Sequence, residues 1–373
     1  MSQHRKIQEE SEREEAPIYG DILEAVLSYV PLIDLVSASQ VSRAWNAAVS
    51  SSLFNLKAIK PWLIVHTQSN RPPHAATAHA YDTRSGHWIQ IHNQPPIEYI
   101  SALRSSHSTL FYMLSSSKFA FSADPLRLTW HTADAPLVWR TDPIVAKVGD
   151  LVVVAGGGCE YEDDPLAVEV YDPKTRAWTV CESMPEMLKD SAWSASMSTA
   201  VYGGELFVTE KDIGLTYAFD TNSKTWRGPY YLLPEQGAFC TVIEFAGGNL
   251  IAVGLLGSPE SVKAVKMWKF SGESFEKFEV VGEMPTEMVE KLKGVSSCLQ
   301  SITAVARGNF VFLHNPSEPE EVIQCEIVSG GCKWGSVRNA VANDRTRMQR
   351  MVVGCSDVAL GDLRRAVAMV GRA

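Results

Sequence analysis

The sequence has no CxxC pair, no apolar run of 18 residues and no surplus of basic charge. Each absence removes a class of protein. Seven scattered cysteines, with no paired spacing, read as reduced thiols of cytosol or nucleus. Without a long apolar run no membrane-spanning helix is expected, and the charged first fifteen residues give no signal peptide. Asp and Glu outnumber Lys and Arg by 43 to 34, for a net charge of −9, which argues against nucleic acid as a partner. Gly156-Gly157-Gly158 lacks the Gly-Lys-Ser/Thr ending of a phosphate loop. His74, His79, His87 and His92 match no metal-ligand spacing, and the acidic stretch 160–164 does not have the calcium-loop pattern. No Ser/His/Asp set stands out. The chain is therefore expected to bind no cofactor or metal and to carry no catalytic residue of its own.

What is present is a repeated phrase. Ala80-Tyr81-Asp82-Thr83 leads to Trp88, Val170-Tyr171-Asp172-Pro173 to Trp178, and Ala218-Phe219-Asp220-Thr221 to Trp226. In each, an aromatic-Asp pair ends one strand and a Trp opens the next, seven residues after the aromatic. Weaker copies run from Phe121 to Trp130, from Phe270 to Phe275 and Phe278, and from Cys325 to Trp334. Self-similarity at this period means an array of small units. The unit at 143–183 is the clearest: strand a at Ile144–Val148, a Gly149-Asp150 turn, the apolar strand b at Leu151–Ala155, strand c at Ala167–Tyr171, and strand d from Trp178. Six b strands recur, at Leu63–His66, Thr109–Leu114, Leu151–Ala155, Glu205–Thr209, Leu250–Val253 and Asn309–Leu313. Six four-stranded units predict a six-bladed β-propeller. The first unit lacks a strand a, and Arg350–Cys355 reads as an orphan strand that would complete it and close the ring. The repeated Trp residues are expected to pack between blades.

Ahead of this array the pattern is helical. Leu23, Val26, Leu27 and Val30 form a stripe, with Asp21 placed to cap it and Pro31 to stop it. A second short helix holds Leu32, Ile33, Leu35 and Val36, and a third runs from about Ser39 through Val41, Trp45, Ala48 and Val49. Residues 1–16 are a polar acidic tail, 17–60 the helical module, 61–356 the propeller with its closing strand, and 357–373 a short helix.

Residues 17–54 resemble the F-box motif. The stretch from Pro17 to Pro31, then Leu35 and Val41-Ser42-Arg43-Ala44-Trp45-Asn46, carries the likeness. Tyr19 stands where that family usually has its opening Pro, and Ser42-Arg43 replaces Cys-Lys. Residues 62–355 resemble kelch repeats. The combination is similar to the plant F-box/kelch-repeat family, and within it to members that direct turnover of phenylpropanoid or flavonoid enzymes such as chalcone synthase. The resemblance implies a mainly β fold, a kelch-type propeller preceded by a three-helix F-box. It also implies a non-catalytic substrate receptor of a Skp1–cullin–F-box ubiquitin ligase. Its partners would be a Skp1-type adaptor, a cullin through the adaptor, and a protein target, with neither nucleic acid nor membrane. A scaffold without a role in degradation, its F-box drifted, stands as the other reading.

By that resemblance Ile18, Ile22, Leu23, Val26, Leu27, Pro31, Leu35 and Val41 match positions that face the adaptor or the module's own core; the sequence does not separate the two. The propeller's b–c and d–a connections emerge on one face, where a target would dock. Candidate contacts there are Glu160, Tyr161, Glu162, Asp163, Asp164, Glu210 and Asp212, with Trp193, Tyr230, Tyr231 and Met288 as apolar anchors. The acidic b–c segments, which include Glu260, Glu318, Glu320 and Glu321, either attract a basic target or keep the surface soluble.

Overall fold

The computed structural model describes residues 20–54, 60–69, 76–91, 100–158, 164–341 and 349–367. The chain divides into two compact units between Ile59 and Lys60.

The first unit holds three helices, α1 (Asp21–Leu27), α2 (Leu32–Val41) and α3 (Arg43–Phe54). Asp21 is not the cap of α1. Gly20 takes that place at φ +64°, a conformation that only glycine adopts cheaply, and Asp21 lies in the first turn. The boundary between α2 and α3 is also later than the apolar pattern predicts. Ser42 is extended, and its hydroxyl accepts the Trp45 amide at 3.1 Å, so it caps α3 where the pattern alone ran on. Leu23, Leu27, Leu35, Val36, Ala48 and Val49 are buried between the three helices. The Ser51 hydroxyl donates to Glu24 at 2.7 Å, tying α3 to α1.

The second unit is a six-bladed β-propeller of antiparallel four-stranded sheets. Blade 3, with strands Ile144–Val148, Leu151–Ala155, Val168–Asp172 and Ala177–Val180, shows why its b strand is apolar without alternation. Val152 and Val154 pack with Tyr112 and Phe119 of blade 2, while Val153 packs with Leu206 and Val208 of blade 4. Both faces meet a neighbouring blade, so each Val contributes about 1.5–3 kcal/mol of burial. Gly156, at φ +64°, ends this strand against the Ala192 carbonyl, where a Cβ would collide.

The repeated phrase is a staple between blades. Tyr81 and Trp88, Tyr171 and Trp178, and Phe219 and Trp226 meet at 5.1–5.3 Å with interplanar angles of 47–48°. Each indole N–H donates to a carbonyl at the outer edge of the preceding blade: Trp88 to Arg338 at 3.1 Å, Trp178 to Asp134 at 3.0 Å, Trp226 to Glu182 at 3.1 Å. The Asp of each phrase turns the chain, accepting an amide two residues on and a hydroxyl three residues on. In blade 2 the register differs from the expected Phe121–Trp130 pair. His131 lies opposite Phe121 and stacks on it at 5.3 Å, and Trp130 packs with Leu103 and Leu128 instead.

Closure occurs as the orphan strand predicts. Gln349–Ser356 pairs antiparallel with Trp62–Ser69, from Trp62 opposite Ser356 to Ser69 opposite Gln349, and becomes the innermost strand of blade 1. Beyond it, α5 (Leu360–Val367) is held to blade 2 by the Asp362–Arg127 pair at 3.5 Å.

Candidate functional site

In the helical unit, burial separates the residues that the sequence left ambiguous. Leu23, Leu27 and Leu35 are core. Ile22 is 68% exposed, Val26 49% and Val41 63%, and Tyr29, not singled out from sequence, is 86% exposed. Pro31 is half-buried and sets the start of α2. Ile18 lies outside the described residues. Ile22 and Val26 on α1, Val41 at the end of α2 and Tyr29 just past α1 are exposed apolar side chains suited to a partner's apolar groove. Tyr29 could have been read from sequence: it follows the last turn of α1, where no intrahelical spacing calls for an aromatic.

On the propeller, the b–c and d–a connections between blades 2 and 4 carry a second surface. Leu137, Met187, Trp193 and Ile213 are exposed there, and Tyr231 is exposed at the end of the blade 4 strand Thr225–Tyr231. The connections are linked: the Ser194 N–H donates to the Asp142 carbonyl at 2.9 Å, and the Ser191 hydroxyl donates to the Glu210 carboxylate at 2.6 Å. The Tyr217 hydroxyl reaches the Met187 sulfur at 3.4 Å. Glu210 and exposed Asp212 place negative charge beside these apolar groups, as does Asp164, which accepts the Ser183 hydroxyl at 2.7 Å. Aromatic and sulfur-bearing side chains held at fixed positions are the usual anchors of protein interfaces.

Not every expected contact lies on this surface. Tyr230 stands edge-on to Phe275 at 5.3 Å and closes the seam of blades 4 and 5, and Met288, on α4 (Thr286–Lys293), packs onto the core between blades 5 and 6. Glu160, Tyr161, Glu162 and Asp163 lie outside the described residues. The b–c segments of blades 5 and 6, expected as open loops, are tight hairpins: Ser258 pairs with Ser261 and Asn315 with Glu318, so Glu318, Glu320 and Glu321 belong to a strand. Leu137, Met187 and Ile213 were missed because single apolar residues in polar connections give no periodic signal.

The position of this surface depends on a buried ion pair. Arg140 and Glu169, with no side-chain exposure, face each other beneath the connection that carries Leu137. Arg140 also donates to the carbonyls of Ala167 at 2.5 Å and Val138 at 3.2 Å. Glu169 accepts the amides of Leu137 at 2.7 Å and Val138 at 3.2 Å. The pair thus fixes the backbone on both sides of the exposed leucine.

Comparison with known proteins places these surfaces in context. The F-box domain family matches residues 21–57. An F-box/kelch-repeat protein of Arabidopsis thaliana is 43% identical over 367 residues, spanning 95% of this chain and 93% of its own. The F-box protein AFR of Arabidopsis thaliana is 24% identical over 234 residues, 56% of this chain and 60% of its own length. Among solved structures, a chain of a nidogen/laminin complex superposes with a TM-score of 0.45 at 10% identity, covering 79% of this chain and 98% of that one.

Proposed function

The chain belongs to the plant F-box/kelch-repeat family, and from that premise we propose that it is the target-binding subunit of a Skp1–cullin–F-box ubiquitin ligase. The observation that carries the reading is the exposed set Ile22, Val26, Tyr29 and Val41 on a helical unit that matches the F-box. These residues dock on a Skp1-type adaptor, which joins the cullin. The propeller face bearing Leu137, Met187, Trp193 and Tyr231 holds the target protein, and Glu210 and Asp212 favour a basic patch on it. The chain then acts by proximity, raising the effective concentration of a target lysine at the loaded ubiquitin-conjugating enzyme. It works in cytoplasm or nucleus, and the modified target goes to the proteasome.

A binding assay with a purified Skp1-type adaptor tests this. Ile22→Asp with Val26→Asp abolishes capture, because two charges enter an apolar contact, while the same change at Leu137 does not. Leu23 and Leu27 are unsuitable for the test, since both are buried and their replacement would unfold the helices. The adaptor-blind double variant also retains its target undegraded, so proximity labelling with it identifies that target. A phenylpropanoid or flavonoid enzyme such as chalcone synthase is the first candidate. An unaltered chain that captures no adaptor would overturn the reading in favour of a scaffold outside the ligase.

A further inference from the structure

The innermost strands of the propeller surround a cavity of about 560 Å³, a size typical of small-molecule sites. Its wall is not the apolar lining that packing would give. Arg104 at the start of blade 2, Arg350 at the start of the closing strand and Lys211 in the blade 4 connection all border it. Asp142 and Glu244 are the carboxyl groups in the wall. Asp142 is paired with Arg104. Glu244 is buried, and burial pushes its carboxyl well above the usual range. Among the described residues no ion pair joins Lys211 or Arg350 to a carboxylate; the Lys211 ammonium donates only to the Ala195 carbonyl, at 2.8 Å. Burial pulls the Lys211 ammonium below its ordinary value, and the charge of neighbouring Asp212 opposes that only in part.

A second observation stands apart from charge. His314, more than nine-tenths buried, borders the cavity, and its Nδ1 makes no hydrogen bond among the described residues. Buried polar atoms are nearly always satisfied, and one that lines a cavity beside a cation is what a polar ligand would complete. Ser194, Asp142 and Lys211, from the d–a and b–c connections, place the mouth of the cavity on the face that carries Trp193.

We propose that this cavity binds a small dianion, carrying two carboxylates or one phosphate group, with Lys211 and Arg350 supplying countercharge and His314 a hydrogen bond. The inference does not rest on the ligase reading, and its test needs neither adaptor nor target.

Calorimetric titration of the full chain with succinate, inorganic phosphate and the neutral succinamide decides it. One anion saturates a single site and succinamide does not; which anion binds separates the dicarboxylate from the phosphate source. Lys211→Met weakens that binding about tenfold or more, as expected for loss of a charged hydrogen bond. Lys174→Met, the same charge change at an exposed turn, leaves it unaltered. If Lys211→Met lowers the melting temperature without ligand, Arg350→Gln at the exposed mouth serves in its place, with a several-fold loss. The proposal fails if neither anion binds with a Kd below about 1 mM, if succinamide binds equally, or if the folded variants bind as the parent does.

Discussion

Replacing Arg140 by Met should cost more than any surface change, and the reason can be worked through. The Glu169 carboxylate would stay buried with the Leu137 and Val138 amides as its remaining hydrogen bonds. Removing one partner of a buried pair typically costs about 3–5 kcal/mol, because the remaining charge has no compensation. Glu169→Gln should cost a similar amount from the other side. For a unit of this length each kcal/mol lowers Tm by roughly 1.5 °C, so a fall of about 5–8 °C is expected. The double variant Arg140→Met, Glu169→Leu should recover part of it, since apolar replacement of both partners removes the stranded charge. Differential scanning calorimetry at one fixed scan rate measures all four proteins. The same loss should appear in target binding, because the pair holds Leu137 in place. A single variant melting within about 2 °C of the parent, or a double variant no better than the worse single, would refute the reasoning.

Two further outcomes are expected. Trp226→Phe keeps the aromatic contact with Phe219 but loses the bond to the Glu182 carbonyl, costing about 0.5–1.5 kcal/mol, whereas Trp226→Ala costs nearer 3 kcal/mol; equal losses in urea unfolding would show that the ring contributes nothing beyond its N–H. Burial lowers His66 and His314 to about 4. The unfolded chain takes up those protons near pH 6.5 while the two imidazoles of the folded chain remain neutral, so stability present above pH 6.5 is lost as pH falls towards 4. The slope is about 1.4 kcal/mol per pH unit for each imidazole, and a urea midpoint at pH 5.5 equal to that at 7.5 would contradict it.

The propeller was legible because its repeat does the same physical job several times. Tyr81, Tyr171 and Phe219 must each meet a Trp at the same spacing, and the spacing survives in the sequence. The closing strand was legible for a related reason: Met351-Val352-Val353 had no partner nearby, and the first blade lacked a strand. What was not legible depends on residues brought together from distant blades. Arg104, Lys211, His314 and Arg350 belong to four blades, and nothing in their local sequence relates them. Arg140 and Glu169 likewise read as ordinary surface charges until the connection folds over them. In the helical unit, the apolar residues were visible but their direction was not. Leu23 and Ile22 are neighbours in sequence and opposite in exposure, and only the packing of α1 on α3 decides which is which.

The strand at Gln349–Ser356 has a consequence for the making of the protein. Blade 1 is stitched from segments nearly three hundred residues apart, so during synthesis it waits, three-stranded, until almost all of the chain has been made. Throughout that wait Trp62–Ser69 offers a bare row of amides and carbonyls that any extended polypeptide can join. A message cut short anywhere before residue 349 yields no lesser receptor with fewer blades, only an unsealed fragment prone to aggregate, and the arrival of the last strand is what turns a string of sheets into a finished ring.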